Sequence, residues 1–174
     1  MKLPVSLLIL GAVFGLVAIA GIAGFLLPPG VTSTAEVHIN EPPAEVWQFL
    51  YDHSNLPKWT PEFTKVEILP HNRWKAYGRG GGTVLFEDVT VVPSQRLVSK
   101  MIESDNSTGG VWELDVRPSN GGCTVTAKAT LILHGAFQRF FGHVFFHGDK
   151  EERRTLELLK RAIESEPVTS PRSH

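Results

Sequence analysis

The sequence predicts an α+β fold, in which a curved antiparallel sheet packs against one long C-terminal helix, preceded by one N-terminal transmembrane helix. Three observations support this prediction. The chain begins with a long uncharged apolar run, its middle contains alternating patterns typical of strands, and its end carries an apolar stripe with helical spacing. Consecutive strands with helices gathered at the ends of the segment indicate an α+β rather than an α/β architecture.

The apolar run from Val5 to Leu27 predicts a membrane anchor. A helix of this length covers about 34 Å, and the hydrocarbon core of a bilayer is about 30 Å thick. The alternative is a cleaved signal peptide, with Lys2 as its basic start and Ala18-Ile19-Ala20 as its cleavage site, but the length of the run favours the anchor. Because Lys2 precedes the run and no Lys or Arg follows before Lys58, the positive-inside rule places the following domain outside the cytoplasm.

The rest of the chain is long enough for one domain with its own core. We expect residues 1–32 to form the anchor and a short linker, residues 33–166 the domain, and residues 167–174 a disordered tail. The formal net charge of −1 argues against nucleic-acid binding, which requires a basic surface. A single Cys excludes intrachain disulfides and multi-cysteine metal sites.

The domain begins with a strand and two helical segments. Alternation from Thr34 to Ile39 predicts the strand. Pro42-Pro43 then predicts the start of a helix that continues to Tyr51, because proline is favoured in the first turn of a helix. Asp52 is expected to cap a second, short helical turn near Leu56–Trp59.

A meander of strands occupies the middle of the domain, and turn residues separate its members. The predicted strands are Phe63–Leu69, Arg73–Arg79, Thr83–Val92, Gln95–Ile102, Gly110–Pro118 and Cys123–Leu133. The glycine-rich segment Gly78–Gly82 joins two of these strands instead of opening a helix, so it predicts a hairpin rather than a phosphate-binding loop. We therefore expect no cofactor.

The last segment predicts a helix of about 30 residues, because apolar residues from Phe137 to Ile163 follow one stripe at helical spacing. A break near Gly142 or Gly148 is the alternative to one continuous helix.

The order of elements and several short motifs resemble the START-like superfamily, also called SRPBCC or helix-grip, in its polyketide cyclase/dehydrase-like branch. The segments that carry the resemblance are Val37–Asp52, Leu56–Pro61, Gly109–Leu114, Thr124–Thr126 and Ala136–Phe141. The resemblance implies a deep apolar cavity for lipids, sterols, polyketides or other hydrophobic molecules. It implies no catalytic residues, since the superfamily has no universal catalytic motif and fold does not settle function.

A set of aromatic residues is predicted to bind the hydrophobic ligand between the sheet and the C-terminal helix. Small residues on the last strand, Cys123, Ala127 and Ala129, face the helix stripe and would leave an apolar void that binds apolar molecules. The alternative is a solid core in which the aromatic rings fill that space. The predicted ligand-binding residues are Trp59, Trp74, Phe86, Trp112, Phe137, Phe141 and Phe145.

Acid–base chemistry has few candidates. Asp52 and His53 are adjacent, and adjacent side chains at a helix end usually diverge. Glu87 and Asp88 lie in an otherwise apolar strand, so whichever of them faces inward is the best candidate for a carboxylate with a raised pKa. His134, at the end of the last strand, is a further candidate.

Two features near the C-terminus were weighed as further sites. His143 and His147 have the i, i+4 spacing of metal ligands, but they flank the apolar stripe without a convergent third ligand, so we expect no metal. Phe140 and Phe146 lie outside the centre of the stripe, where they either contact lipid or a partner or pack under a loop.

Three functions therefore follow. The first is a membrane-anchored domain that binds a hydrophobic, lipid-like or polyketide-like molecule without catalysis. The second is a cyclase or dehydratase acting on such a molecule through Glu87, Asp88 or His134. The third is a membrane-tethered protein-interaction module that uses Phe140 or Phe146.

Overall fold

The computed structural model describes residues 5–104, 109–145 and 148–165 of the chain. The helices are α1 (Val5–Leu26), α2 (Pro43–Tyr51), α3 (Leu56–Trp59), α4 (Ala136–Phe145) and α5 (Gly148–Ser165), with a 3-10 turn at His53–Asn55. The strands are β1 (Gly30–Ile39), β2 (Phe63–Leu69), β3 (Arg73–Gly78), β4 (Thr83–Val92), β5 (Arg96–Ser104), β6 (Gly109–Ser119) and β7 (Gly122–Ile132).

The chain divides into two compact units. The helical unit comprises α1, α4 and the adjoining strand ends, within residues 1–31 and 131–146. The sheet unit comprises the other strands and helices, within residues 32–130 and 147–174.

The seven strands form one curved antiparallel sheet in the order β1-β7-β6-β5-β4-β3-β2. Consecutive strands from β2 to β6 pair as antiparallel neighbours. Alternation decides which side chains face the core: Cys123, Val125 and Ala127 of β7 are buried, and the residues between them are more exposed. The predicted α+β architecture of the helix-grip type is confirmed for this unit.

A bulge in β4 changes which residues of that strand face inward. The register of β4 against β5 shifts between Asp88 and Thr90, and Val89 between them is exposed. Phe86 and Asp88 are buried before the bulge, whereas Val91 packs against the core after it. The bulge explains why apolar residues occur at both even and odd positions of this strand, since the inward-facing positions change from one set to the other.

The core of the sheet unit lies between the sheet and its helices. Leu156, Leu159 and Ile163 of α5 are buried in the same apolar cluster as Val46 and Leu50 of α2 and the inward residues of the strands. Leucine side chains therefore occupy space beneath the C-terminal helix.

The C-terminal segment forms two helices, α4 and α5, in different units, so the alternative of a break near Gly148 is confirmed and one continuous helix is wrong. Each helix has its own contacts within its unit. The Asp149 side chain, in the first turn of α5, accepts a hydrogen bond from the Thr34 amide of β1 (2.9 Å). The α4 helix packs against α1, where a Cβ added to Gly24 would lie 1.8 Å from the Ala136 carbonyl oxygen, so only glycine permits this approach.

The first predicted helix is present as α1. Among the residues that the structure describes, no helix combines the length and the hydropathy needed to cross a membrane. The predicted transmembrane span is therefore not supported by the structure.

Candidate functional site

A cleft of about 610 Å³ opens in the sheet unit between the sheet and the segment formed by α2 and the 3-10 turn. Trp47, Tyr51 and His53 line it from the helical side. Ile68, Trp74 and Asp88 line it from the strands, together with the turn that joins β2 to β3. Of its twelve lining residues, five are aromatic or aliphatic and seven are polar or charged, so the cleft combines apolar walls with hydrogen-bonding groups, as small-molecule sites do.

The end of α2 positions His53. Asp52 follows the helix, and its Oδ1 accepts a hydrogen bond from the Ser54 backbone amide (3.1 Å). This cap starts the 3-10 turn, in which the His53 side chain is buried against the sheet. Asp52 is therefore a cap, as predicted, but it caps the 3-10 turn, because Asn55 directly precedes the predicted turn at Leu56–Trp59.

Strand β4 positions Asp88. Asp88 faces inward beside Phe86, whereas Glu87 points to the other face, where its carboxylate lies 3.4 Å from Arg73 Nε. The Asp88 amide also donates to the Asn72 carbonyl (2.8 Å), which ties the start of the bulge to the β2–β3 turn. Of the two acidic candidates, Asp88 is therefore the one inside the protein.

Asp88 is the centre of a buried hydrogen-bond cluster. Its Oδ2 lies 2.7 Å from Nε2 of His53. Its Oδ1 accepts hydrogen bonds from the indole Nε1 of Trp74 (3.0 Å) and from the hydroxyl of Ser99 (2.7 Å). Both carboxylate oxygens are thus satisfied by groups from the 3-10 turn, β3 and β5.

The cluster keeps Asp88 ionised. Burial by itself raises the pKa of this carboxyl. The hydrogen bond from His53, the charge that His53 carries when it is protonated, and the hydrogen bonds from Ser99 and Trp74 outweigh burial, so the net pKa lies below the ordinary value. The prediction of a raised pKa for the inward carboxylate is wrong because three donors surround it. An ionised carboxylate only accepts hydrogen bonds, so Nε2 of His53 carries the proton of this contact.

Stacked rings hold the imidazole in place. The His53 ring lies 4.4 Å from the Trp74 ring at 23°, and Trp74 in turn stacks on Phe86 at 4.2 Å and 13°. Trp47 and Tyr51 form a second parallel pair at 5.9 Å and 10°. The orientation of His53 is therefore set by a ring face as well as by Asp88.

The structure separates the predicted aromatic set into three groups. Trp74 lines the cleft, and Phe86 stacks on its ring. The Trp59 and Trp112 rings contact each other at 5.2 Å with a tilt of 31°, and neither residue lines this cleft. The remaining three residues lie on α4 in the helical unit: Phe137 and Phe141 are 47% and 52% exposed, and the Phe145 side chain lies outside the described part of the structure.

A second perturbed carboxylate lies beside Trp112. The indole Nε1 of Trp112 donates to Oε1 of Glu152 on α5 (3.0 Å). Burial raises the pKa of Glu152, and the hydrogen bond from Trp112 opposes this change only in part. Glu152 was not among the predicted site residues, because its spacing in the sequence is that of an ordinary residue at the margin of a buried helix face.

The other predicted polar sites are not brought together. His134 is exposed in the helical unit, and His143 Nε2 lies 3.1 Å from the Pro28 carbonyl oxygen. His147 and Phe146 lie outside the described residues. Within the part of the chain that the structure describes, no three metal-ligating side chains converge. Phe140 is half-buried, near Gly24 of α1.

Nothing in the sequence indicated that His53 and Asp88 meet, and Ser99, Trp47 and Tyr51 were not among the predicted site residues. The available signal was the pair Glu87 and Asp88 in an otherwise apolar strand, because an inward carboxylate of that pair needs partners. The cleft also lies beneath α2 and the 3-10 turn, whereas the predicted cavity lay beneath the C-terminal helix.

The comparisons with known proteins agree with this architecture. The sequence model of the family described as polyketide cyclase/dehydrase and lipid transport matches residues 30–164. No curated protein shows significant sequence similarity to the chain.

Several solved structures share the fold. Protein MLL2253 from Mesorhizobium loti superposes with a TM-score of 0.62 at 17% identity, covering 79% of this chain and all of that one (100%). The di-domain ARO/CYC StfQ from the steffimycin biosynthetic pathway gives 0.57 at 13% identity, covering 78% of this chain and 51% of StfQ. Ara h 8.0201 gives 0.57 at 15% identity, covering 79% and 99%. At these identities the likeness concerns the fold alone, whereas the family match spans most of the sequence, so this chain belongs to the polyketide cyclase/dehydrase and lipid transport family.

Proposed function

We propose that this protein binds a small, largely hydrophobic molecule in the cleft between α2 and strands β2 to β4. The observation that supports this most directly is the cleft of about 610 Å³, lined by Trp47, Tyr51, Ile68 and Trp74 and containing one buried polar cluster. Small-molecule pockets typically measure about 300–1,000 Å³ and combine apolar walls with a few placed polar groups. The family description, which includes polyketide and lipid ligands, supports the same class of molecule.

The lining favours a flat ligand with a ring system. Trp47 and Tyr51 present parallel rings, and aromatic rings stack well on such surfaces. StfQ, which shares this fold, is an ARO/CYC protein of the steffimycin biosynthetic pathway. This likeness supports a polyketide-like ligand for the present cleft. Arg73 lies at the same cleft and supplies a positive charge at its margin.

Native mass spectrometry of the full-length protein, before and after solvent extraction, tests the proposal. We expect an apolar adduct that extraction removes and that Ile68→Ser reduces, because Ile68 is 60% exposed and lines the cleft. Ile102→Ser is the matched control, since Ile102 is 38% exposed on β5 and does not line the cleft. Equal adducts in both variants, or no apolar ligand bound by any of the proteins, would contradict the proposal.

A cyclase-type enzyme is the second candidate, and the His53–Asp88 pair favours it. An imidazole fixed by a carboxylate is a suitable general base for removing a proton next to a carbonyl group. Deuterium exchange at the central methylene of 1-benzoylacetone, followed by NMR in D₂O, tests this candidate. Exchange should be faster with the wild-type protein than with His53→Gln, and equal rates would exclude this role for His53.

We also propose that α1 attaches the protein to a lipid bilayer, with the sheet unit on the extracytoplasmic side. Residues 3–27 contain no charged residue, and Phe14 and Phe25 on α1 are 76% and 77% exposed. A helix that is apolar on all sides favours a lipid environment. Flotation of the full chain with phosphatidylcholine liposomes should be lost in Phe14→Lys. It should be kept in Ile132→Lys, the control, which alters an apolar residue on β7. If neither the wild type nor this control floats with the liposomes, attachment is refuted.

A further inference from the structure

We propose that His53 and Asp88 form a proton-accepting site that binds an acidic ring hydroxyl of the ligand in its ionised form. The cleft would therefore select hydrophobic phenols or enols over molecules of the same shape without an ionisable hydroxyl. This inference rests on the proposed function, because it names the chemical class of the molecule that the cleft binds.

Nε2 of His53 is committed to Asp88. Both oxygens of Asp88 accept hydrogen bonds, from His53 on Oδ2 and from Trp74 and Ser99 on Oδ1. The carboxylate has no proton to donate, so the proton between it and His53 belongs to Nε2. In neutral His53 the other ring nitrogen, Nδ1, then carries a lone pair.

Nδ1 of His53 is the nitrogen that remains for a ligand. Within the described residues, no buried side-chain nitrogen or oxygen lacks a hydrogen-bond partner. The His53 ring contacts Asp88 through Nε2. We infer that Nδ1 is accessible from the cleft, because His53 lines it. In neutral His53, Nδ1 can then accept a proton from a molecule in the cleft.

The proton transfer balances within the site. The O–H bond of the ligand breaks, its electron pair stays on oxygen, and the proton forms a new N–H bond at Nδ1. Neutral ligand and neutral imidazole become an anion and an imidazolium, so the net charge of the cleft is unchanged. Asp88 stabilises the imidazolium through Nε2, and the face of Trp74, 4.4 Å away, stabilises it as a cation–π partner.

The remaining charged and titratable groups at the cleft are compatible with a bound anion. Arg73 places a positive charge at the cleft, although Glu87 lies 3.4 Å from its Nε. Asp52 is the opposing charge, but its Oδ1 is occupied by Ser54. His71 and Tyr51 also line the cleft and add hydrogen-bonding groups.

Absorbance titration of 4-nitrophenol with the full-length protein tests the inference, because the nitrophenolate anion is coloured and the phenol is not. 4-Nitroanisole is the matched probe without an ionisable hydroxyl. We expect 4-nitrophenol to bind at least tenfold more tightly than 4-nitroanisole at neutral pH. We also expect the pKa of 4-nitrophenol to fall by about one unit when it is bound, which corresponds to tenfold tighter binding of its anion than of its neutral form.

The variants separate this inference from the proposed function. His53→Gln removes the basic nitrogen and should abolish the preference for 4-nitrophenol while 4-nitroanisole still binds. Glu87→Gln, on the other face of the same strand as Asp88, should keep the preference. Binding of 4-nitroanisole without ionisation of 4-nitrophenol by the wild-type protein overturns the inference alone, whereas binding of neither probe counts against the proposed function as well. The wild-type titration decides the matter even where a variant fails to fold.

Discussion

Replacing Asp88 with alanine should destabilise the sheet unit far more than replacing its neighbour Glu87. Asp88→Ala removes the acceptor of Trp74 and Ser99, which are 1% and 2% exposed, and of His53. Leaving a buried donor unsatisfied costs about 1–3 kcal/mol. For the two least exposed donors we therefore expect a loss of about 2–6 kcal/mol in the free energy of unfolding.

Glu87→Ala is the matched control. Its carboxylate is partly exposed and pairs with a partly exposed Arg73, and surface ion pairs contribute about 0–1 kcal/mol. The two variants differ only in which face of β4 they alter. Urea unfolding followed by tryptophan fluorescence measures both losses, provided that the m-values agree. Losses for Asp88→Ala and Glu87→Ala within about 0.5 kcal/mol of each other would refute the argument that Asp88 organises the cleft.

Three other outcomes follow from single contacts. The folded-state pKa of Asp88 is lowered, so its stabilising effect is present above the unfolded-state pKa and is lost as pH falls through the folded-state pKa. The urea midpoint of the wild type should therefore drop on acidification more than the midpoint of Asp88→Asn. Parallel dependence of the two midpoints on pH would contradict this. Burial raises the pKa of Glu152, so ionisation of Glu152 weakens the folded state as pH rises. Glu152→Gln should therefore raise Tm near neutral pH and leave it unchanged in acid. A gain in Tm at both pH values would argue against a raised pKa for Glu152. Leu159→Ala should cost about 2–5 kcal/mol by urea unfolding because Leu159 is fully buried in the core, and a loss below about 1 kcal/mol would indicate an unfilled space beneath α5.

Local patterns predicted most of the fold. The alternation in β7 identified Cys123, Val125 and Ala127 as inward residues, and Pro43 marked the start of α2. These predictions succeed because each depends on neighbours a few residues apart, whose geometry the backbone of one element determines. The C-terminal stripe was harder, since α4 and α5 carry apolar residues in compatible phase although they belong to different units.

The candidate site was only partly predictable. Trp74, Phe86, His53 and Asp88 were all considered, but not as one cluster. His53 and Asp88 are separated by 35 positions, and their contact depends on the cap at Asp52 and on the bulge after Asp88. Neither feature has a strong enough pattern in one sequence to specify a contact over that separation.

The sequence by itself therefore determined the class of the fold, the inward face of a regular strand such as β7, and the presence of two adjacent acidic residues in the otherwise apolar β4. Only the tertiary structure decided that the cleft lies under α2 rather than α5, that three donors surround Asp88, and that the His53 ring stacks on Trp74. The physical reason is that periodicity describes one element at a time. Ionisation and cavity shape, in contrast, depend on side chains that several elements bring to the same place.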